Sequence, residues 1–195
     1  MSTVARLSLA QYDRMIDAGV FETRKANRIE LIRGELRKMT PIGPDHEDAV
    51  DFLNEWSLAA KPPEVRVRIQ NSVGFPELKS APQPDVAWVT RKFSARRPEA
   101  SEIFLIIEVA QTSLAGERGE KARLYAKAGV RDYWIVNIPD KCVEVFRDPL
   151  RGRYKSLRTY ATGDEVSPLA FPDVTLSVSS LFESVASPDD RNSSL

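Results

Sequence analysis

The sequence predicts one α/β domain in which helices flank a mixed β-sheet. Short runs rich in β-branched and aromatic residues, such as 103–110 and 131–138, predict buried strands. Segments that repeat apolar residues every three or four positions predict helices around them. The chain has 195 residues, of which 42% are hydrophobic, and this suits a single sizeable core. We therefore expect one domain over 1–186 and a flexible polar tail over 187–195.

Capping and turn residues delimit the elements of the first third of the chain. Ser8 can cap the start of an amphipathic helix, and Gly19 can end it. Gly34 separates two short strand-like runs, as expected for the turn of a hairpin. Asp45 is placed to cap a second helix, which Lys61 and the two prolines after it end. The predicted elements are a helix over 9–18, a hairpin over 28–39 and a helix over 45–60.

Alternation and turn residues delimit the remaining elements. Residues 65–73 begin by alternating valine or isoleucine with arginine or glutamine, the pattern of a half-exposed strand. Gly129 is placed to end a helix over 117–128, and Pro139-Asp140 can form a hairpin turn. Further strands are predicted over 84–90, 103–110, 131–138 and 141–146, with lesser strands over 154–160 and 174–178.

Charge and hydropathy limit the classes of partner. Lys plus Arg (28) equals Asp plus Glu (28), so the overall charge indicates neither nucleic acid nor membrane. Two basic clusters, within 91–97 and 147–158, could contact phosphates, although solvated loops are the simpler explanation for each. No apolar run reaches the roughly 18 residues of a transmembrane helix, and the N-terminus lacks the pattern of a signal peptide. We expect a cytoplasmic protein without a membrane partner.

Cysteine and histidine are too scarce for most of their usual roles. Cys142 is the one cysteine, so no disulfide can form within the chain. Its alternating strand context predicts a packed thiol rather than a nucleophile. His46 is the one histidine. The common Cys/His zinc sites are therefore not expected, and a Cys–His nucleophile pair would require these two residues to meet.

Two acidic residues interrupt predicted buried strands and are the strongest indication of function. Asp85 opens one apolar run, and Glu108 lies within another. Strand alternation gives Glu108 a face that it shares with three apolar residues, namely Phe104, Ile106 and Ala110. A buried carboxylate is costly unless a cation compensates it. Two strands that bring carboxylates together would form an oxygen-lined site suited to a divalent metal.

Lys121 is the predicted cationic neighbour of these acids. It lies three and four residues before Leu124 and Tyr125, on the apolar face of the helix predicted over 117–128. A short loop separates this helix from the strand that carries Glu108. Taken alone, Lys121 could instead form a structural ion pair, or could pack its stem while its amine reaches water.

His46 and Glu30 are weaker candidates. His46 falls in the first turn of its predicted helix, on the face of Ala49 and Val50. A core or capping histidine is the alternative for this position. Glu30 lies on the hairpin face opposite its apolar neighbours, where an exposed strand residue is the alternative.

Several motifs together resemble the Uma-type restriction endonuclease family of the PD-(D/E)XK nuclease superfamily, over about residues 8–183. The segment Gly-Val-Arg-Asp-Tyr-Trp-Ile-Val is the most specific of them. The resemblance rests on these parts of the sequence: 31–36, His46, Pro84-Asp85-Val86, 107–110, 112–114, Lys121, Tyr125-Ala126 and 128–137.

The resemblance implies a restriction-endonuclease-like core, to which this chain adds N- and C-terminal hairpins. It implies that Asp85, Glu108 and the backbone carbonyl of Val109 bind Mg²⁺, with Mn²⁺ able to substitute. The superfamily's basic lysine stands two residues after the acid, where this chain has Ala110. The resemblance instead implies a lysine from the following helix, Lys121, with supporting roles for Glu30 and His46. Gln111 departs from the acidic or hydroxyl residue expected there, and Glu117 stands in place of the usual aspartate.

Three functional hypotheses follow. The first is Mg²⁺-dependent hydrolysis of DNA phosphodiester bonds, with DNA as the partner. The second is a weakened, non-catalytic binding or assembly module, which the residues Ala110 and Gln111 favour. The third is hydrolysis of another phosphoester, such as RNA. Unpaired strand edges in the two hairpins also predict a homodimer.

Overall fold

The structure, a computed structural model, describes residues 4–21 and 29–185, so the predicted tail lies outside the described residues. The helices are α1 (Leu9–Asp17), α2 (Pro44–Ala60), α3 (Leu114–Gly116), α4 (Ala122–Ala128) and α5 (Val178–Val185). A π-helical turn, Glu117–Lys121, joins α3 to α4, and short 3-10 turns lie at Pro76–Leu78 and Ala100–Glu102. The strands are β1 (Ile29–Ile32), β2 (Glu35–Lys38), β3 (Val65–Ile69), β4 (Val86–Thr90), β5 (Ile103–Ala110), β6 (Asp132–Asn137), β7 (Cys142–Leu150), β8 (Arg153–Ala161), β9 (Glu165–Val166) and β10 (Leu176–Ser177).

A six-stranded mixed sheet with the order β3-β4-β5-β6-β7-β8 forms the centre and confirms the predicted α/β architecture. Neighbouring strands are antiparallel except β5 and β6, which are parallel. A parallel pair needs a crossover connection, and the α3–α4 segment provides it. This crossover begins where β5 ends, so its first turns lie beside the carboxyl end of that strand.

Each face of the sheet carries its own core. On one face, α2 and α5 cover a cluster that includes Trp88 and Trp134. On the other, α4 covers a cluster that includes Ile106 and Tyr125. Burial of large apolar side chains on both faces makes this sheet the stable frame of the domain. Within the described residues, no helix is both long and apolar enough to span a bilayer.

The predicted face of β5 is correct for two of its three apolar residues. Ile106 and Ala110 pack in the cluster that contains Tyr125, as expected for neighbours of Glu108. Phe104 packs with the opposite cluster, with its ring centroid 5.2 Å from that of Phe171. The prediction for Phe104 is wrong because Leu105 and Ile103 pair with consecutive residues of β4, which leaves Phe104 as an extra, bulged residue.

Several predicted boundaries are also wrong. Helix α2 begins at Pro44 with Gly43 as its N-cap, so Asp45 lies in the first turn and does not cap the helix. Strand β3 ends at Ile69 because Gln70 has a φ of 49° and cannot continue it. The predicted strand over 174–178 shrinks to Leu176–Ser177, and α5 follows it at once. The predicted helix over 117–128 is longer, and its first part includes the π-helical turn.

Candidate active site

The carboxyl end of β5 opens into a cleft of about 320 Å³, and the predicted functional residues converge there. The hairpin β1–β2, the first turn of α2, the start of β4, the end of β5 and the π-helical turn each contribute one wall. The predicted residues in its lining are Glu30, His46, Asp85, Glu108, Val109 and Lys121. Six positions spread over 92 residues of sequence are thus brought to one place by the hairpin, by α2, and by the central sheet and its crossover.

Asp85 is a buried carboxylate that is held on both oxygens. Its Oδ2 accepts a hydrogen bond from the Val109 N–H at 2.9 Å. Its Oδ1 lies 3.2 Å from His46 Nε2 and accepts a weaker bond from Gln70 Nε2 at 3.4 Å. Burial alone would raise the pKa of Asp85, but His46 and the Val109 N–H, helped by the charge of Lys121, lower it overall. Asp85 is therefore ionised at neutral pH.

The backbone of Val109 faces the same space. Within a β-strand, the N–H and C=O of one residue point to the same side. The Val109 N–H is directed at Asp85, so the Val109 carbonyl is directed toward the Asp85 side as well. This orientation is compatible with the predicted role of the carbonyl as an oxygen ligand.

Glu108 is the most strongly perturbed acid of the cleft. It is only 2% exposed, and its Oε1 accepts a hydrogen bond from Tyr125 Oη at 2.6 Å and forms an ion pair with Lys121 Nζ at 3.0 Å. Burial raises the pKa of Glu108 well above its usual value, and Glu117 and Asp85 raise it further, while Lys121 opposes them. Both contacts fall on Oε1, which leaves Oε2 available to another ligand within the described cleft.

Lys121 enters the cleft from the π-helical turn. Its Nζ lies 3.0 Å from Glu108 and 3.4 Å from Glu117, four residues earlier. Burial would lower the pKa of Lys121, but Glu108, Glu117 and the other nearby acids raise it above its usual value. Lys121 therefore stays cationic. Isolated π-helical turns are rare and occur often at functional sites, and this one directs two charged side chains toward β5.

Glu30 and His46 are buried, each 8% exposed. The carboxylate of Glu30 faces the cleft and accepts a hydrogen bond from the Gln83 N–H at 3.3 Å, so it is not an exposed strand residue. His46 contacts Asp85 with the ring nitrogen Nε2, which must carry the proton in order to donate. Gln111 lines the cleft, but its amide donates to Asp45 at 3.0 Å and so joins the end of β5 to α2.

The sequence does not identify three side chains that line the cleft or contact its acids, namely Glu117, Tyr125 and Gln70. Glu117 and Tyr125 lie four residues before and four residues after Lys121, so helical spacing could have assigned them to its face. Gln70 reaches Asp85 only because the chain turns at its positive φ, which no feature of the sequence signals.

The donor set of the cleft fits a hard divalent cation. Four acidic side chains, from Glu30, Asp85, Glu108 and Glu117, face one lysine, so acidic groups outnumber the cation of the cleft. Carboxylate and carbonyl oxygens are the ligands that Mg²⁺ prefers. Among residues 4–21 and 29–185, no three His, Cys, Asp or Glu side chains form a complete metal-binding group. Mg²⁺ commonly takes one or two protein carboxylates and fills its other positions with water and phosphate oxygens.

Comparisons with known proteins agree with this architecture. The Uma2 family model, described as "Putative restriction endonuclease", matches residues 9–179. A crystal structure described as a "putative nuclease belonging to DUF820 from Anabaena variabilis" is similar with a TM-score of 0.72 and 13% identity. The similarity covers 92% of this chain and 99% of that chain, and at this identity it shows a shared fold. No curated protein sequence matches the chain.

Proposed function

We propose, from the premise that this chain belongs to the Uma2 family of restriction endonucleases, that its cleft hydrolyses DNA phosphodiester bonds with the help of Mg²⁺. The family supports a nuclease, in agreement with the resemblance found in the sequence. The observation that carries the finer proposal is the contact of Lys121 Nζ with Glu108 at 3.0 Å, in a cleft that Asp85 also lines. Two acids from adjacent strands and one amine from the next helix thereby share one space.

The residues of the cleft have distinct proposed roles. Asp85, Glu108 and the Val109 carbonyl would hold Mg²⁺, which supplies Lewis acidity toward a phosphoryl oxygen. Lys121 stays cationic, so it stabilises negative charge that develops on the phosphate and does not act as a general base. His46 orients Asp85 through the 3.2 Å contact, and Tyr125 orients Glu108 through the 2.6 Å hydrogen bond. Glu30 is available to hold a water molecule at the cleft wall.

Plasmid cleavage tests this proposal. Supercoiled DNA is incubated with the protein and Mg²⁺ or Mn²⁺, and nicked and linear products are measured. Asp85→Asn and Lys121→Met should each lower the rate by about 10²-fold or more, because each removes a charged group of the cleft. Asp51→Asn, on the exposed surface of α2, is the matched control and should cleave normally. Cleavage that persists undiminished in Asp85→Asn would refute the site. Preferential cleavage of RNA would favour the hypothesis that the protein hydrolyses RNA instead of DNA.

A binding or assembly module is the second candidate. Its support is that Gln111 bonds to Asp45 and that Ala110 supplies no charge to the cleft. Titration calorimetry distinguishes the two candidates. If the protein binds intact DNA but shows no heat of Mn²⁺ binding at millimolar concentration, the module is favoured over the nuclease.

Homodimerisation belongs to the same proposal. Strand β8 is the last strand of the sheet, and Leu157 on it is 59% exposed. A two-fold partner that pairs along this edge would cover both its free backbone groups and its apolar side chains. Light scattering should then give twice the mass of the 21.9 kDa chain, and a monomeric mass would remove the dimer from the account.

A further inference from the structure

We propose that Arg66 and Arg68, here called the β3 arginine row, bind backbone phosphates of the nucleic acid strand that enters the cleft at Asp85. This inference rests on the proposed nuclease function and adds to it a surface for the substrate outside the cleft. The row lies on an edge strand of the sheet, whose carboxyl end pairs with Val86, the residue after Asp85.

The register of the sheet gives the row its direction. Arg66 pairs with Val89 and Arg68 pairs with Ala87, and both partners belong to the core face that also carries Ile106 and Tyr125. The row thus shares the sheet face of Glu108. Gln70 follows the end of β3, and its turned backbone brings its amide to Asp85, to which it donates at 3.4 Å. Alternate strand residues lie about 7 Å apart, so the two guanidinium groups extend outward from Asp85 in successive steps.

Both arginines keep hydrogen-bonding capacity that the described residues do not use. The Nε atoms of Arg66 and Arg68 are buried and have no hydrogen-bond partner. Arg68 donates one bond, at 3.1 Å, to the Ser72 carbonyl, and the Arg66 guanidinium lies 4.7 Å from the ring centroid of Phe93. Burial lowers the pKa of Arg68, and the charges of Arg66 and Arg97 lower it further. An anion beside the two guanidinium groups would relieve this repulsion.

Three of the nine basic residues in the two basic clusters form ion pairs with acids of the described residues. Arg96 pairs with Glu102 and Glu99, Arg97 pairs with Asp13, and Arg147 pairs with the buried Asp132. Within the described parts of the chain, neither member of the β3 arginine row forms such an ion pair. Among the described residues, ion pairs thus neutralise three of the nine basic residues in the two clusters, and neither member of the β3 arginine row is neutralised in this way.

A groove of about 660 Å³ gives a ligand access to Arg68. Helix α1 forms one wall, and residues 94–97 form the other. The acids of the groove are Asp13 and Glu99, which are engaged by arginines, and Asp17, which is exposed. Among the arginines that line the groove, Arg68 is therefore the one that no acid of the described residues pairs with.

Salt-dependent DNA binding tests the row without depending on cleavage. Fluorescence anisotropy in EDTA measures the affinity of the full chain for one labelled oligonucleotide, single-stranded and then double-stranded, from 50 to 300 mM salt. Loss of two phosphate contacts should lower the slope of log K against log salt by about 1.4 for single strands and about 1.8 for duplex. In 0.1 M salt the affinity of Arg66→Gln/Arg68→Gln should fall on the order of 25- to 60-fold.

Two further variants make the result decisive. Arg66→Lys/Arg68→Lys keeps both charges and should retain most of the affinity and slope, even if the glutamine variant folds poorly. Arg131→Gln removes an exposed arginine at the amino end of β6, opposite the cleft, and should bind as the wild type does. The proposed phosphate binding by the row is refuted if a folded glutamine variant keeps the slope of the wild type. It is also refuted if the wild type does not bind at 100 μM, which is about the limit of non-specific binding. If the protein does not cleave DNA but the salt slope of binding still depends on the two arginines, only the proposed nuclease function is refuted.

Discussion

Replacement of Lys121 by methionine should destabilise the metal-free protein markedly. The substitution keeps a long unbranched side chain but removes the ammonium group that lies 3.0 Å from Glu108 and 3.4 Å from Glu117. Removing one partner of a buried ion pair typically costs about 3–5 kcal/mol. Burial already raises the pKa of both acids, so one of them can take up a proton and limit the loss. We therefore expect the lower end, about 3 kcal/mol, or roughly 6–12 °C in Tm for a domain of this size.

Urea unfolding in EDTA, followed by circular dichroism, measures this loss. Lys127→Met is the matched control, since Lys127 lies on the exposed side of α4 and its replacement should change stability by less than about 0.5 kcal/mol. In a Glu117→Gln background the cost of Lys121→Met should shrink by about 1 kcal/mol or more, because fewer buried charges are left uncompensated. If Lys121→Met is as stable as Lys127→Met, the amine does not compensate the acids, and the electrostatic reasoning about the cleft is refuted.

Three more substitutions have defined outcomes. Glu108→Gln should flatten the pH dependence of metal-free stability above pH 4.5. A Glu whose pKa is raised in the folded state makes the free energy of unfolding fall as the pH rises above 4.5, the ordinary pKa of the side chain. An unchanged profile in urea unfolding at several pH values would count against this. Tyr125→Phe should lower kcat by about tenfold while DNA affinity stays constant, because the 2.6 Å bond orients Glu108 and does not touch DNA; a change in affinity alone would contradict it. Ser57→Ala should cost about 1–3 kcal/mol in thermal unfolding, since it leaves the buried Trp88 Nε1–H without its acceptor at 2.8 Å; a stability equal to wild type would show that another acceptor replaces Ser57.

Local periodicity explains what could be predicted from the sequence. Asp85 and Glu108 stood out because a charged residue inside a short apolar run contradicts the pattern around it. Lys121 could be assigned to the buried face because Leu124 and Tyr125 follow it at helical spacing. These inferences use only neighbours within about one or two turns or strand steps, where backbone geometry fixes which residues share a face.

Tertiary structure explains most of what could not be predicted. The bulge at Phe104 depends on how β5 pairs with β4, and the contact of Gln70 with Asp85 depends on a positive φ. The π-helical turn changes which residues reach the cleft without leaving a mark in the apolar pattern. Helix α5 is different, because its buried residues recur at helical spacing from Val178 onward and could have been found.

The most direct test of the shared site is a Mn²⁺ soak of crystals of this protein. Anomalous diffraction locates the ion without reference to activity, and Mn²⁺ takes the same oxygen ligands as Mg²⁺. The account predicts one strong peak in the cleft, about 2.2 Å from carboxylate oxygens of both Asp85 and Glu108. A well-diffracting crystal in millimolar Mn²⁺ whose peaks all lie away from these two side chains would contradict it.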